Sequence, residues 1–231
     1  MSELIVALDV SSTAAVEEAV DRLGDAVSFY KIGLELFSAE GPAVVKAVKE
    51  RGKKVFLDLK LHDIPRTVER AVKSAGALGV DLMTIHASGG KAMIRAAKDA
   101  ALTFGAAAPK ILAVTLLTSL DQSDLDDLGV GRAVADQVRA LGTLAVANGA
   151  DGIVCSPKEV AAMRVALGPD ALLVTPGVRP AGAAVGDQKR VATPAQAVRD
   201  GSTHLVVGRP ILQAEDPYAA ALAILAEMKE R

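Results

Sequence analysis

Short apolar runs, each followed by a helical pattern, recur along the whole chain without a break, and this cadence constrains the fold more than any other feature. The runs are Leu4–Leu8, Ser28–Ile32, Lys54–Leu57, Leu82–Ile85, Ile111–Leu116, Gly152–Cys155, Leu172–Val174 and Leu205–Val207. They are nearly continuous apolar stretches rather than alternating ones, as parallel strands buried on both faces should be. Between them, Val16, Ala19, Val20 and Leu23 repeat at helical spacing, as do Val44, Ala47 and Val48, and Val134, Val138, Leu141 and Ala145. Ser156-Pro157-x-Glu159 has the form of a capping box with proline at the first helical position, and Thr193-Pro194 and Asp216-Pro217 repeat the cap-then-proline pattern. Gly24, Gly52, Gly79 and Gly149 each stand where a helix should stop before the next strand.

No linker or low-complexity stretch separates these strand–helix units. Parallel units of this number close most naturally into a barrel, and 231 residues agrees with the ~250 typical of that fold. The expectation is an α/β chain, a (β/α)8 TIM barrel, with residues 1–231 as one domain. A doubly wound sheet would usually carry a glycine-rich first turn, and Asp9-Val10-Ser11-Ser12 contains no glycine.

Half of the residues are hydrophobic, but with four Phe, two Tyr and no Trp the core must be built from Ala, Val, Leu and Ile. The formal charge of −2 offers no basic stripe for nucleic acid. A single cysteine, Cys155, excludes an intramolecular disulfide and suits a reducing compartment. The opening MSELIVALDV lacks a basic n-region and meets an acid after a few apolar residues, so it is read as a strand and not a signal peptide. No apolar run approaches the ~18 residues of a membrane span. A soluble, cytoplasmic protein is expected.

Active sites of this fold lie at the C-terminal ends of the strands. Those positions carry Asp9 after the first strand, Lys31 on the second, and Asp58 and Lys60 at the third. Thr118 and Ser119 follow the fifth, Pro176, Gly177 and Arg179 the seventh, and Gly208 and Arg209 the eighth. Asp58 and Lys60 are two apart, so an extended strand would point both to one side. If that side is the barrel interior each charge needs a partner, because an unpaired buried charge is very costly. Asp9, Lys31, Asp58 and Lys60 supply two acids and two bases, and Asp63 adds a third acid. A salt-bridge network that merely closes the barrel mouth is the bland alternative, and it is disfavoured because buried pairs stabilise weakly.

The loops after strands seven and eight form the common phosphate site of such barrels. Here Gly177 and Gly208 permit close backbone approach, and Arg179 and Arg209 can pair bidentately with phosphate oxygens. The loop from Pro176 to about Ala192 shows no clear periodicity, and loops of that length commonly act as lids. Gln188 lies within it and could be delivered to a ligand on closure.

Together these segments resemble the orotidine-5′-phosphate decarboxylase family almost end to end. The similarity runs through Val6-Ala7-Leu8-Asp9, Tyr30-Lys31-Ile32-Gly33 and Asp58-Leu59-Lys60-Leu61-His62-Asp63-Ile64-Pro65-x-Thr67. It continues through His86-Ala87-Ser88-Gly89-Gly90, Val114-Thr115-x-Leu117-Thr118-Ser119, Thr175-Pro176-Gly177-Val178-Arg179-Pro180, Gly186-Asp187-Gln188 and Val207-Gly208-Arg209-Pro210. The Asp-x-Lys-x-x-Asp core alone is moderately specific, since a wider group of sugar-phosphate decarboxylases and synthases shares it; the ordered set is highly specific.

The resemblance implies decarboxylation of orotidine 5′-monophosphate to uridine 5′-monophosphate, in de novo pyrimidine synthesis, without metal or organic cofactor. It implies Lys60 as proton donor to C6, Asp58 beside the scissile carboxylate, and Lys31 bridging the acids and the ribose hydroxyls. Asp9 would bind ribose, Thr118 or Ser119 the pyrimidine edge, and Arg179, Gln188, Gly208 and Arg209 the phosphate region, with Pro176 also in contact with substrate. Asp63, Ile64 and Thr67 belong to the same motif, and in the family Asp63 and Thr67 reach into the neighbouring subunit's site, which implies a homodimer.

Other residues are read more plainly. His62 is taken as structural and oriented away from Lys60, Cys155 as a buried strand residue, and the acidic run from Asp121 to Asp127 as a solvated loop. His86 could face the site or be a satisfied structural histidine. Two rivals remain: a metal-dependent decarboxylase of the 3-keto-L-gulonate 6-phosphate type, which carries an acid at strand two where this chain has Lys31, and a non-catalytic nucleotide-phosphate binding barrel.

Overall fold

The structure, a computed structural model, describes residues 2–180 and 192–230. Its strands are β1 (Glu3–Ala7), β2 (Phe29–Gly33), β3 (Lys54–Leu61), β4 (Leu82–His86), β5 (Lys110–Val114), β6 (Gly152–Val154), β7 (Leu172–Pro176) and β8 (His204–Val207). All neighbours pair in parallel, and β8 returns to β1 to close the barrel in sequence order. The helices are α1 (Thr13–Leu23), α2 (Leu34–Glu40), α3 (Pro42–Glu50), α4 (Pro65–Gly76), α5 (Gly90–Leu102) and α6 (Gln122–Asp127). They continue as α7 (Val134–Ala147), α8 (Val160–Leu167), α9 (Pro194–Arg199), α10 (Arg209–Leu212) and α11 (Pro217–Glu227). None of the described helices is long and apolar enough to cross a membrane. The expected (β/α)8 architecture is therefore the observed one.

Two layers of packing follow from the two faces of each strand. Leu4, Val6, Ile32, Val55, Leu57, Met83, Ile85 and Ile111 pack outward with helix residues such as Val16, Val44, Val68 and Ile94. Ile5, Ala7, Phe29, Phe56, Leu82, Leu112, Val174 and Val206 form a separate inward cluster that Val154 and Leu172 join. Side chains alternate along a strand with period two, so the inward rows of β2, β3, β4, β5 and β7 continue to Lys31, Asp58, Thr84, Val114 and Pro176. The apolar plug thus ends, toward the C-terminal mouth, in a layer that carries charge.

The opposite end uses polar groups to fix strand starts. Asp81 accepts from the Val55 backbone N–H at 2.8 Å and from Lys49 at 3.0 Å. Asp151 accepts from Ile111 N–H at 2.9 Å and from Lys98 at 2.7 Å. Acids just before β4 and β6 therefore tie those strands to their neighbours, a stabilising use of charge at the end of the barrel remote from chemistry.

Several local signals act as anticipated. Thr193 and Asp216 accept from the Gln196 and Ala219 amides, and Glu159 reaches back to the Ser156 amide at 2.8 Å. Gly24 ends α1 at φ 49° and Gly149 ends the turn after α7 at φ 101°, a region that costs residues with a Cβ. Strand ends shift by one or two residues from expectation, and two differences are larger. β3 runs to Leu61, four residues beyond the expected end at Leu57, so Asp58 and Lys60 lie within the strand. The acidic run is not a loop: it forms α6, with Asp121 capping Ser123 N–H at 3.0 Å and Asp124 reaching back to Asp121 N–H at 2.8 Å. An N-terminal acid is favoured there by the orphan amides and the helix dipole.

Candidate active site

The charged layer at the barrel mouth centres on β3. Asp58 is 9 % exposed, and its Oδ2 accepts from the Lys60 ammonium at 2.8 Å. Thr84 on β4 donates its hydroxyl proton to Asp58 Oδ1 at 2.9 Å, so both carboxylate oxygens are engaged. On the next strand, Lys31 Nζ donates to Asp9 Oδ1 at 3.3 Å, with the Asp9 side chain 59 % exposed at the rim. Gly33, one pleat beyond Lys31, leaves room for that ammonium: a Cβ there would lie 3.0 Å from it.

β3 reaches this arrangement by leaving the regular ladder. Leu57 pairs with Met83 and Leu61 with Ile85, so four steps of β3 span two steps of β4. The surplus is absorbed as a bulge, and Lys60 has φ 52°, the one positive φ of a non-glycine among the described residues. A left-handed backbone costs an ordinary residue roughly 1–2 kcal/mol, and bulges of this kind re-aim side chains next to active sites. Asp58 and Lys60 do share one face, but not because the strand is extended between them.

Lys31, Asp58 and Lys60 line one pocket with Phe56, Val114, Leu116, Leu117, Thr118, Val154, Pro176 and Val206. Its volume is about 140 Å³. One wall is cationic and carboxylate-bearing, the other apolar, which suits a flat, partly apolar ring carrying an anionic substituent. A wider hollow is lined by Arg132, Asp136, Arg139, Ala140 and Thr143, along α7 and the segment before it, and shares no residue with this pocket.

The remaining expected residues divide. Ser119 is exposed beside Thr118. Arg179 follows β7, where its amide donates to Ala192 O at 3.0 Å and its guanidinium to Val178 O at 2.9 Å. Gly208 and Arg209 follow β8, beside β7 in the barrel, so the two glycine–arginine loops are neighbours. Gln188 lies outside the described residues. Asp63, Ile64 and Thr67 do not line the pocket of their own barrel. Asp63 caps the Ile64 amide at 2.7 Å, Thr67 is exposed on the first turn of α4, and Ile64 is 67 % exposed, a large apolar side chain on the surface of this one chain.

His62 is exposed, and its ring lies 5.3 Å from that of His86. His86 is half-buried, and burial first, then His62 and Lys60, hold its pKa below the ordinary value. Asp58 opposes that shift, so His86 senses both members of the Lys60–Asp58 pair. Cys155 is buried, as expected. Among the described residues no group of three or more His, Cys, Asp or Glu is arranged to hold a metal ion. Thr84 was missed by sequence reasoning; its signal was a hydroxyl in an otherwise apolar strand, two residues after inward-facing Leu82.

Comparison with known proteins decides the family. Residues 2–224 match the family model described as Orotidine 5'-phosphate decarboxylase / HUMPS family. The chain belongs to this family. A protein named orotidine 5'-phosphate decarboxylase from Moorella thermoacetica is 52 % identical over 232 residues, covering 98 % of this chain and 92 % of that protein. One of the same name from Anaeromyxobacter sp. is 55 % identical over 223 residues, covering 96 % of each. The crystal structure of orotidine 5'-phosphate decarboxylase from Lactobacillus acidophilus superposes with a TM-score of 0.90 at 41 % identity, over the whole of both chains. A Pyrococcus horikoshii structure shares the fold at TM-score 0.79 and 23 % identity.

Proposed function

We propose that this chain decarboxylates orotidine 5′-monophosphate to uridine 5′-monophosphate, in de novo pyrimidine synthesis, with Lys60 delivering the proton to C6. The observation that carries this reading is the Lys60 ammonium held at 2.8 Å from Asp58 against an apolar pocket wall. Breaking the C6–carboxylate bond releases carbon dioxide and leaves the electron pair on C6, with no adjacent carbonyl to delocalise it. A fixed ammonium aimed at that carbon stabilises the developing charge and then gives it a proton. Asp58, already engaged on both oxygens, would stand beside the scissile carboxylate, and Lys31 would bridge the acids and the ribose hydroxyls.

Asp9 is assigned to ribose and Thr118 or Ser119 to the pyrimidine edge. Pro176 is assigned to substrate contact, and Arg179, Gln188, Gly208 and Arg209 to the phosphate region, where remote binding energy would promote chemistry at C6. The exposed segment from His62 to Thr67 supports a homodimer in which Asp63 and Thr67 enter the partner's site, with Ile64 covered by the contact. Residues 1–231 would act as one catalytic domain, needing no metal or organic cofactor, in the cytoplasm.

The test is the ultraviolet absorbance change of orotidine 5′-monophosphate with and without a chelator. Turnover unaffected by chelator is expected. Strict magnesium dependence would instead favour the 3-keto-L-gulonate 6-phosphate type, and tight binding without turnover a nucleotide-phosphate binding barrel.

A further inference from the structure

The strained backbone at Lys60 has one evident support. Four steps of β3 opposite two of β4 deprive the bulge of regular ladder partners, and the Lys60 amide donates instead to Thr84 Oγ1 at 2.9 Å. The same hydroxyl donates its proton to Asp58 Oδ1 at 2.9 Å. Thr84 is 1 % exposed and its bond to the Lys60 amide is part-buried, and an amide screened from solvent that loses its acceptor is costly. A single hydroxyl therefore uses its lone pair on the backbone of one charged residue and its proton on the side chain of the other.

We propose that Thr84 is a positioning residue for the reaction: it holds Lys60 in its left-handed conformation and Asp58 in its rotamer, so that ammonium and carboxylate present one fixed geometry to the substrate. This rests on the assignment of Lys60 as proton donor. A threonine suits the task because its β-branch restricts χ1 against the strand, keeping the hydroxyl aimed across to β3. Apolar isosteres would fill the space equally well, so volume alone does not demand it.

Thr84→Val removes donor and acceptor at nearly constant size, and Thr84→Ser retains both. For decarboxylation of orotidine 5′-monophosphate, Thr84→Val is expected to lower kcat on the order of 10²-fold, the penalty of a displacement near 1 Å at a reacting group. KM should stay within about threefold, and Thr84→Ser should recover kcat to within about threefold, both small beside that penalty. Amide exchange of Lys60, followed by NMR, should accelerate in Thr84→Val and stay slow in Thr84→Ser. Should Thr84→Val not fold, Thr84→Ala, which also lacks donor and acceptor, takes its place with the same expectations. A valine variant with wild-type kcat and a protected Lys60 amide would overturn the proposal, as would a kcat loss that serine does not restore. A wild-type enzyme without turnover would refute the decarboxylase assignment instead, and the amide-exchange comparison would still decide whether Thr84 holds Lys60.

Discussion

Asp58 and Lys60 are two residues apart in β3 and 2.8 Å apart in space, yet the strand between them is bulged and Lys60 has φ 52°. A regular strand would separate their side-chain ends along the pleat. The bulge bends the chain so that the ammonium folds back onto the carboxylate at the rim of the apolar plug. Pairing then lets two charges occupy a position where either alone would be strongly disfavoured.

If Lys60 is the proton donor, Lys60→Ala should lower kcat by about 10³-fold or more, since both a general acid and a fixed cation are lost. Asp58 would keep its Thr84 donor but lose its cationic partner, so stability should fall. A urea midpoint measured on the same variant separates that loss from the lost chemistry. Titration with uridine 5′-monophosphate should show binding retained alongside collapsed turnover; undiminished turnover would remove Lys60 from the mechanism.

Gly33→Ala tests Lys31 without touching its charge. The added Cβ would meet the Lys31 ammonium at 3.0 Å and push it off Asp9. Losing one charged hydrogen bond to substrate corresponds to about 1.5 kcal/mol or more, so KM should rise roughly tenfold. An unchanged KM would show that Lys31 does not hold the ribose.

Gly152 begins β6 under the Leu172 carbonyl, and a Cβ there would collide with that oxygen and approach Leu172 Cβ to 2.6 Å. Both neighbours are strand backbone or its first carbon and cannot swing aside. Gly152→Ala should therefore destabilise the barrel by about 3 kcal/mol or more, the upper range of overpacking. Urea unfolding measures this, and a midpoint equal to wild type would mean that β6 and β7 can separate at little cost.

Stability should also fall with mild acid. Burial chiefly holds His204 below its ordinary pKa of 6.5, with Lys54 adding to the effect and Glu3 opposing it. Burial likewise lowers His86. In both cases the unfolded chain takes up a proton before the folded one, so stability is full above pH 6.5 and declines from there toward the lower folded values. The carboxylates with lowered pKa, Asp21, Glu40 and Glu69, act only below their ordinary values of 3.8 to 4.5, so the two windows are separate. Urea midpoints between pH 7.5 and pH 5.5 should drop, and His204→Gln should flatten part of the slope. A wild-type midpoint constant over that interval would contradict the assignment.

Much of this molecule was legible in the residues themselves. Continuous apolar runs, helix caps at Thr193 and Asp216, and positive-φ glycines at Gly24 and Gly149 are local signals, and local physics decides them. The acidic run was misjudged because its cap at Asp121 lacked an apolar periodicity to announce a helix. Charges placed at strand ends marked Asp9, Lys31, Asp58 and Lys60, since an ion near a barrel core must have a reason to be there.

What the linear order could determine about Asp58-Leu59-Lys60 was that two charges occur in a strand and need partners. The tertiary structure decided which partners they have. The register of β3 against β4 is set by how two distant segments close the barrel, and only that closure places the Thr84 hydroxyl beside the Lys60 amide and the Asp58 carboxylate. A hydrogen bond between residues 26 apart, such as that of Thr84 with Asp58, has no trace in either segment alone.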